Sequence, residues 1–269
     1  MLGQIPARKW DLNYMKEKLG HIKVGVFDNR IKKDTAYTAP DLEMPFSQFA
    51  DIIAKDEKCP YRLFLFNGFK HAPSLKKEFP CPEIFRGILG GLGLMFFGGK
   101  QTGVRMHFDS DLSSVLHTQV QGRKQILLFA PEYSDLLYKV PFNTFCLIDP
   151  EKPDEDKFPA LRFVKGYRIE LEPGDTLFMP SGYWHFMKYL EGGFAVTYRK
   201  LARTIPTKYN GVMYLTLRLW FDRLMLFLRG KKWVAYKEHF AFRKATKAMR
   251  RCERAEKQLQ TLPRPHPSW

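Results

Sequence analysis

Strand-forming patterns dominate the middle of the chain. Apolar runs, and apolar residues alternating with polar ones, are bounded there by glycine and proline, which is typical of β-strands separated by turns. Gly98-Gly99 breaks one such run, and Pro173-Gly-Asp175 is a turn signal between two others. The predicted strands include Tyr61–Phe66, Leu94–Phe97, Arg168–Leu171 and Thr176–Met179. This pattern predicts a mainly β fold.

Helical spacing flanks the strand region on its N-terminal side. Asp11 is a suitable N-cap for a helix that runs to Leu19. Pro45–Ala54 carries apolar residues at helical intervals, and Ser47 is its predicted N-cap. The strands are therefore expected to have flanking N-terminal helices.

After Pro206 the pattern is helical throughout. Asn210 is the predicted N-cap of a first helix that ends at Gly230, and a second helix is predicted from about Lys231 to Leu259. The first helix is apolar on more than one face, so the strand region covers one side and the other side needs a second partner. We therefore predict two units, 1–204 and 205–269, and a homodimer formed by the C-terminal helices.

Net charge separates these two units. The chain carries a formal net charge of +16, and residues 200–269 hold 17 Lys and Arg against 4 Asp and Glu. The strand region is consequently close to neutral. The basic second helix is interpreted either as a solvated face or as a contact for RNA or another acidic surface.

Composition limits the class of protein. A chain of 269 residues with 15% aromatics can form one well-buried domain plus an appendage. Its four cysteines lack Cys-x-x-Cys spacing, which indicates neither a zinc site nor a disulfide framework and fits a reducing, cytoplasmic compartment. The first ten residues have no signal-peptide pattern, and charged residues interrupt the longest apolar stretch, 212–228. No transmembrane segment is predicted.

Two histidines and one aspartate are the strongest candidates for chemistry. His107 and Asp109 form a His-x-Asp pair, and in an extended strand two such residues point the same way. Together with His185 they offer two imidazoles and one carboxylate, the ligand set that holds iron(II) on one face and leaves other positions open. By itself, His-x-Asp is a weak signal, because a surface histidine followed by an aspartate that caps a turn gives the same sequence pattern.

The segments around these residues resemble the cupin-like JmjC family of iron(II)- and 2-oxoglutarate-dependent oxygenases. The similarity runs from about Trp10 to Arg199, and within the family it is strongest to an asparaginyl hydroxylase that acts on a protein. The matching motifs are His107-Phe-Asp109, 122–131, 172–180, Tyr183-Trp-His185 and Gly192-Gly193. The resemblance implies a double-stranded β-helix (a jelly roll), with iron bound by His107, Asp109 and His185, and with 2-oxoglutarate and O2 as co-substrates.

The resemblance also implies a cation for the distal carboxylate of 2-oxoglutarate. Lys124 falls on the family's lysine position; the alternative is a lysine that ends a turn and points to solvent. Arg199 is a second candidate anion partner, or else a surface arginine at the end of a strand.

Three positions depart from the family pattern. Val104 stands where members often have threonine, Phe64 where a tyrosine helps to hold the co-substrate, and Val115 where an asparagine lies in the barrel. Thr118 is a candidate for the missing hydroxyl, as are Thr102, Ser114 and Tyr61. Val104 and Phe64 are expected to line the pocket. Trp184, beside His185, forms either a pocket wall or ordinary core packing.

The sequence leaves several functions open. The resemblance implies an oxygenase that hydroxylates a C–H bond, with a protein or peptide side chain as the expected substrate. An RNA-modifying hydroxylase of the same fold, a metal-binding cupin that does not use 2-oxoglutarate, and a non-enzymatic binding module are the alternatives. Family members usually have a strand before the segment that begins here near Trp10, so the chain is interpreted as a shortened version of a longer protein.

Overall fold

Two antiparallel β-sheets form the body of the protein. The computed structural model describes residues 5–30, 39–55, 57–86 and 91–261. Its strands are β1 (Lys23–Asp28), β2 (Leu42–Pro45), β3 (Tyr61–Phe66), β4 (Leu92–Gly98), β5 (Gly103–His107), β6 (Ser114–Gln121), β7 (Lys124–Phe129), β8 (Gly166–Leu171), β9 (Thr176–Met179), β10 (Trp184–Tyr189) and β11 (Gly193–Lys200). One sheet has the order β2-β1-β3-β4-β11-β6-β9 and the other β5-β10-β7-β8.

Helices flank the sheets at both ends of the chain. They are α1 (Leu12–Leu19), α2 (Phe46–Ala54), α3 (Gly68–His71), α4 (Leu75–Glu78), α5 (Ile205–Met213), α6 (Leu219–Arg229) and α7 (Lys231–Thr261). A π-helical turn, Tyr214–Arg218, joins α5 to α6. This arrangement confirms the predicted jelly-roll (cupin-like) fold with N-terminal flanking helices and a C-terminal helical extension.

The N-terminal helices bury their apolar faces against the larger sheet. Phe46 and Phe49 of α2 are fully buried with Met15 of α1, and they share one core with Phe97 of β4 and Phe194 of β11. The helical spacing read from the sequence therefore marks the buried face of α2. Full burial of a phenylalanine side chain contributes about 2 kcal/mol, so this layer is a major source of stability for the sheet.

The ends of the helices confirm one predicted cap and correct two. The Asp11 carboxylate accepts a hydrogen bond from the Tyr14 amide, as predicted for the start of α1. Ser47 is not the N-cap of α2, because the helix starts at Phe46 after Pro45 and has no side-chain cap. Asn210 is likewise not an N-cap: α5 begins at Ile205, and the Thr204 hydroxyl accepts from the Thr207 amide.

The C-terminal helix α7 is part of a second core. Ala241 and Ala245 are fully buried in a cluster with Trp184 of β10 and Leu137. The small alanine side chains allow the helix backbone to approach the loop segments below it. The C-terminal helices thus share a hydrophobic core with the sheets. The predicted division of the chain into two units at residue 204 stays a prediction.

A buried aspartate joins the last two helices to a loop of the body. The Asp222 carboxylate accepts hydrogen bonds from Trp233 Nε1 at 2.8 Å, Lys237 Nζ at 2.7 Å and Asn143 Nδ2 at 3.0 Å. Asp222 and Lys237 are both less than a tenth exposed. We call these four residues the Asp222 cluster.

The outer face of α5 and α6 remains exposed. Its large apolar side chains are on average more than half accessible, with Ile205 at 80%, Trp220 at 74% and Phe227 at 87%. Within the described ranges, no helix combines the length and the apolarity needed to cross a bilayer.

Candidate metal centre

Neighbouring strands of the smaller sheet bring the two candidate histidine ligands together. His107 ends β5, His185 lies near the start of β10, and the two residues are directly paired between these antiparallel strands. Their ring centroids are 4.3 Å apart. Asp109 follows β5 by two residues, and one ligand atom from each of the three residues lies within 4.8 Å of the others. The structure therefore brings together the His, Asp and His predicted from the sequence.

Backbone carbonyls fix the protonation pattern of both imidazoles. His107 Nδ1 lies 2.7 Å from the Arg105 carbonyl oxygen, and His185 Nδ1 lies 3.1 Å from that of Tyr183. A carbonyl oxygen only accepts, so each Nδ1 must carry the hydrogen. The Nε2 lone pairs are then available as metal ligands, in the arrangement by which outer partners orient metal-binding histidines.

Arg199 is directed at the carboxylate of the cluster. Its guanidinium lies 3.0 Å from Asp109 Oδ2 and 2.8 Å from Asp111 Oδ1, and its Nε donates to the Ser113 hydroxyl at 3.1 Å. Arg199 lines the cavity beside the histidines, but its nearest anions are these two carboxylates. It is therefore placed to orient Asp109. The co-substrate contact expected from the sequence stays a prediction.

The charges in the cluster favour the forms that bind a metal. Burial, followed by the charge of His185, lowers the pKa of His107 to about 3, so this imidazole is neutral at physiological pH. Burial alone would raise the pKa of Asp109, but the charges of Arg199 and the two histidines outweigh it, and the pKa lies below its usual value. A neutral imidazole and an ionised carboxylate are the ligand forms that a divalent metal requires.

A cavity of about 490 Å³ opens beside the three residues, between the two sheets. Strands β3, β4, β6 and β11 supply one wall, and β5 and β10 the other. Its lining is mainly apolar with a few convergent polar groups, which is typical of a small-molecule site. Phe64 and Val104 line it as expected. So does Val115.

Lys124 is buried next to this cavity but does not line it. Its side chain is 1% exposed, its Nζ lies 4.2 Å from the centre of the Tyr189 ring, and it donates to His117 Nε2 at 3.0 Å. His117 Nδ1 in turn donates to Thr197 Oγ1 at 2.8 Å. Burial lowers the pKa of Lys124 to about 7. The pKa of His117 is also well below its usual value, through burial and the Lys124 charge.

Two further sequence candidates lie away from the cavity lining. The Thr118 hydroxyl hydrogen-bonds to that of Thr176 at 2.9 Å, on the opposite face of β6 from His117. Trp184 is fully buried, packs edge-on against Phe108 with centroids 4.9 Å apart, and donates from Nε1 to the Ser134 hydroxyl. Trp184 therefore supports the strand that carries His185 without forming the pocket wall.

Sequence reasoning missed much of the cavity lining. His117, Thr197, Arg62 and Leu215 are among the residues that it missed. Strand alternation could have found two of them: His117 lies two residues after Val115 on β6, and Arg62 two residues before Phe64 on β3. The same alternation places Thr118 on the other face of β6. Leu215 comes from the π-helical turn, and no strand pattern could have found it.

Comparisons with known proteins agree with this architecture. A family model described as a cupin-like domain matches residues 4–223. The JmjC domain-containing protein D of Dictyostelium discoideum is 36% identical over 217 residues, which cover 70% of this chain and 47% of that protein. Lysine-specific demethylase 8 of Xenopus tropicalis is 31% identical over 71% of this chain and 44% of its own length.

A third relative has a name that refers to RNA. The tRNA wybutosine-synthesizing protein 5 of Gallus gallus is 24% identical over 70% of this chain and 64% of its own length. The chain spans about half the length of the Dictyostelium and Xenopus relatives. Because the family match takes in every strand of both sheets together with all three candidate ligands, the chain belongs to the JmjC group of cupin-like oxygenases.

Proposed function

We propose that the protein is an iron(II)- and 2-oxoglutarate-dependent oxygenase that hydroxylates a C–H bond of a protein side chain. The observation that carries the proposal is the cluster of His107, Asp109 and His185 at the wall of a mainly apolar cavity. Three protein ligands on one face leave positions for a co-substrate and O2. Iron(II), when bound there with 2-oxoglutarate and O2, would supply the oxidising chemistry.

The donor set fits this metal. Two imidazoles and one carboxylate suit a divalent iron, and the described part of the chain places no thiolate among the cavity residues that would favour a softer metal. The chain's own residues hold the ligands in position: Arg105 and Tyr183 through their carbonyls, and Arg199 through the Asp109 carboxylate. Apolar side chains such as Phe96 and Met187 exclude water from the cavity.

We further propose that Lys124 supports the distal carboxylate of 2-oxoglutarate. A dianion in a mainly apolar cavity needs a nearby cation, and the buried ammonium of Lys124 lies directly behind His117, which lines that cavity. His117 accepts a hydrogen bond from Lys124 at Nε2 and donates one from Nδ1 to Thr197, so the three side chains form one hydrogen-bonded chain.

A protein substrate is favoured by the distribution of charge. None of the cationic residues along α7 lines the cavity. Of the arginines that do, Arg62 is buried and Arg199 is paired with carboxylates, which leaves Arg105 as the exposed one. An RNA substrate should meet several exposed cations on its way to the cluster, because phosphate contacts dominate nucleic-acid affinity.

The four free cysteines, two of them buried, support a reducing, cytoplasmic compartment.

The test combines metal binding with turnover. Anaerobic iron(II) titration of the wild type should show one site, and 2-oxoglutarate with O2 should then yield succinate. Asp109→Ala should abolish stoichiometric binding, because it removes the only carboxylate of the cluster. Asp51→Ala, which removes an exposed carboxylate on α2, is the control and should bind normally. Equal iron affinity in the wild type and Asp109→Ala would refute the metal site; iron binding without succinate would favour a cupin that does not use 2-oxoglutarate.

An RNA-modifying oxygenase is the second candidate. It is favoured by a groove on α7 lined by the basic side chains Arg243, Lys247, Arg250, Arg251 and Arg254 together with His239. The name of the Gallus gallus relative also refers to tRNA. This candidate becomes the better one if the groove binds RNA and the RNA is turned over in an iron-dependent reaction.

A further inference from the structure

The wall of the cavity is apolar where the resemblance implies two hydroxyl groups. Phe64 of β3 and Val104 of β5 both line the cavity, and neither side chain has a hydrogen-bond donor. A carboxylate bound at this end of the cavity therefore has to receive its hydrogen bonds from other residues of the chain.

Arg62 is a charged residue on the same wall. It lies two residues before Phe64 on β3, so both side chains point from the same face of the strand, and both line the cavity. The guanidinium lies 4.9 Å from the centre of the Phe64 ring, and the residue is only 3% exposed. A guanidinium has five N–H donors in a planar fork, a geometry that matches the two oxygens of a carboxylate.

Arg62 and Lys124 lie at the same end of the barrel. Arg62 pairs with Gly98 of β4, and the Tyr189 ring packs so closely over Gly98 that a Cβ there would lie 2.5 Å from it. The Lys124 ammonium lies 4.2 Å from the centre of the same ring. Arg62 of the larger sheet and Lys124 of the smaller sheet, both buried, thus lie on the same side of the barrel as Tyr189.

The two cations are not equivalent. Lys124 does not line the cavity and is hydrogen-bonded to His117, and burial lowers its pKa to about 7. Arg62 lines the cavity, and a guanidinium stays charged at any physiological pH. Its planar fork can also bind both oxygens of a carboxylate, which a lysine cannot do.

We propose that Arg62 binds the distal carboxylate of a dicarboxylic 2-oxo acid and thereby determines which 2-oxo acid the cavity accepts. Lys124 supports the same carboxylate from behind His117. Arg62 is thus a specificity-determining residue of this chain that takes over from the hydroxyls absent at Phe64 and Val104. The inference rests on the proposed function, since it concerns the co-substrate of that reaction.

The test compares two ligands that differ only in the distal group. The full chain is loaded with Mn(II), and the affinities for 2-oxoglutarate and for 2-oxopentanoate, which has a methyl group in place of the distal carboxylate, are measured by calorimetry. The wild type should prefer 2-oxoglutarate by roughly 10- to 100-fold, the range expected for charge-assisted hydrogen bonds. Arg62→Met should lower this preference by roughly tenfold while 2-oxopentanoate and Mn(II) still bind.

The control variants distinguish loss of the Arg62 contact from a loss of folding and from a failure of the proposed function. Arg162→Met removes an exposed arginine outside the cavity lining, and it should keep the wild-type preference. Arg62→Lys should restore part of it, because charge returns without the bidentate geometry. If Arg62→Met keeps the full preference for 2-oxoglutarate, or if only Lys124→Met loses it, the proposed role of Arg62 is wrong. The proposed function of the protein is not contradicted by that result. If Mn(II) binds but neither 2-oxo acid does, the proposed use of 2-oxoglutarate fails as well.

Discussion

Single residues around the metal site show how a mainly apolar cavity can accommodate a charged co-substrate. The buried Lys124 ammonium has an aromatic ring on one side and the His117 imidazole on another. Both neighbours stabilise the cation less well than water does, which is why burial lowers the pKa of Lys124 to about 7. A carboxylate bound near Lys124 would raise the pKa of its ammonium group again.

Binding of 2-oxoglutarate is therefore expected to take up a proton. Without the ligand, Lys124 loses its proton as the pH rises through about 7, and a bound carboxylate raises that pKa. Affinity should be constant below pH 7 and should fall as the pH rises above it. Calorimetry at pH 8 in buffers of different ionisation enthalpy counts the protons taken up.

Lys124→Ala serves as the comparison for this prediction. It should bind 2-oxoglutarate roughly tenfold more weakly near neutral pH and should take up no proton at pH 8. The same proton uptake in the variant and the wild type would show that another group titrates.

The sequence was sufficient to find the three clustered residues but not the polar groups around them. His-x-Asp on a strand end and a histidine after Tyr183-Trp184 predict the cluster, because strand geometry and motif order are local properties. The bond between Lys124 and His117 depends on how two strands from different sheets face each other, which no local pattern records. Thr118 has a hydroxyl group, but strand alternation turns it away from the cavity.

Among the larger elements, the sequence predicts two C-terminal helices, whereas the structure has three: α5, α6 and α7. Apolar spacing and Gly230 located the helices and the break before α7. The π-helical turn at Tyr214–Arg218 was not predicted from the sequence. It follows Gly211, whose backbone packs against that of Asp111, a contact between distant residues that no local pattern records. A Cβ at Gly211 would lie 2.6 Å from the Asp111 carbonyl oxygen.

The Asp222 cluster is expected to hold these helices on the body. Asp222→Ala would leave the Lys237 ammonium buried without its carboxylate, and loss of one partner of a buried ion pair costs about 3–5 kcal/mol. The free energy of unfolding, measured by urea denaturation, should fall by about that amount. Glu253→Ala removes the exposed partner of Arg162 and should cost under about 1 kcal/mol. Equal losses in the two variants would contradict the role of the cluster.

The exposed faces of α5 and α6 are predicted to form a homodimer. Monomers rarely expose apolar patches beyond a few hundred Å², and Trp220 and Phe227 are both more than 70% exposed here. Light scattering should give about twice the 31.6 kDa mass of the chain at micromolar concentration. Phe227→Asp should give a monomer, because it places a charge in the buried centre of the interface.

The control for the dimer is an equally exposed apolar residue outside these helices. Ile84 is 70% exposed and lies before β4, so Ile84→Asp should leave the dimer intact. A wild-type protein that scatters as a monomer would refute the predicted interface.

Across the whole molecule, the candidate metal site and most of the positive charge lie in different parts of the chain. The metal cluster lies between two sheets whose residues carry little net charge, whereas most of the positive charge lies after residue 200. This separation is the reason for ranking a protein substrate ahead of RNA, and it can be tested without deleting α7, whose Ala241 and Ala245 belong to the core.

A triple variant with Arg243, Arg250 and Arg254 changed to glutamate tests the basic groove on α7. For a protein substrate, turnover should be unchanged within about threefold, since a surface charge far from the reacting group alters encounter more than chemistry. RNA binding is measured over a salt series for the wild type and the variant. Tight binding that falls steeply with salt, is lost in the variant, and accompanies iron-dependent turnover of RNA would contradict the protein-substrate prediction.

Leu215 has a consequence for how such a protein can change. It belongs to the turn between α5 and α6, yet it lines the same cavity as His107 and His185. Part of the cavity wall is thus encoded after the last strand of the barrel, apart from the three candidate metal ligands. Substitutions in that short turn can change which molecules enter while every ligand stays in place, so substrate choice and reaction chemistry are free to evolve independently.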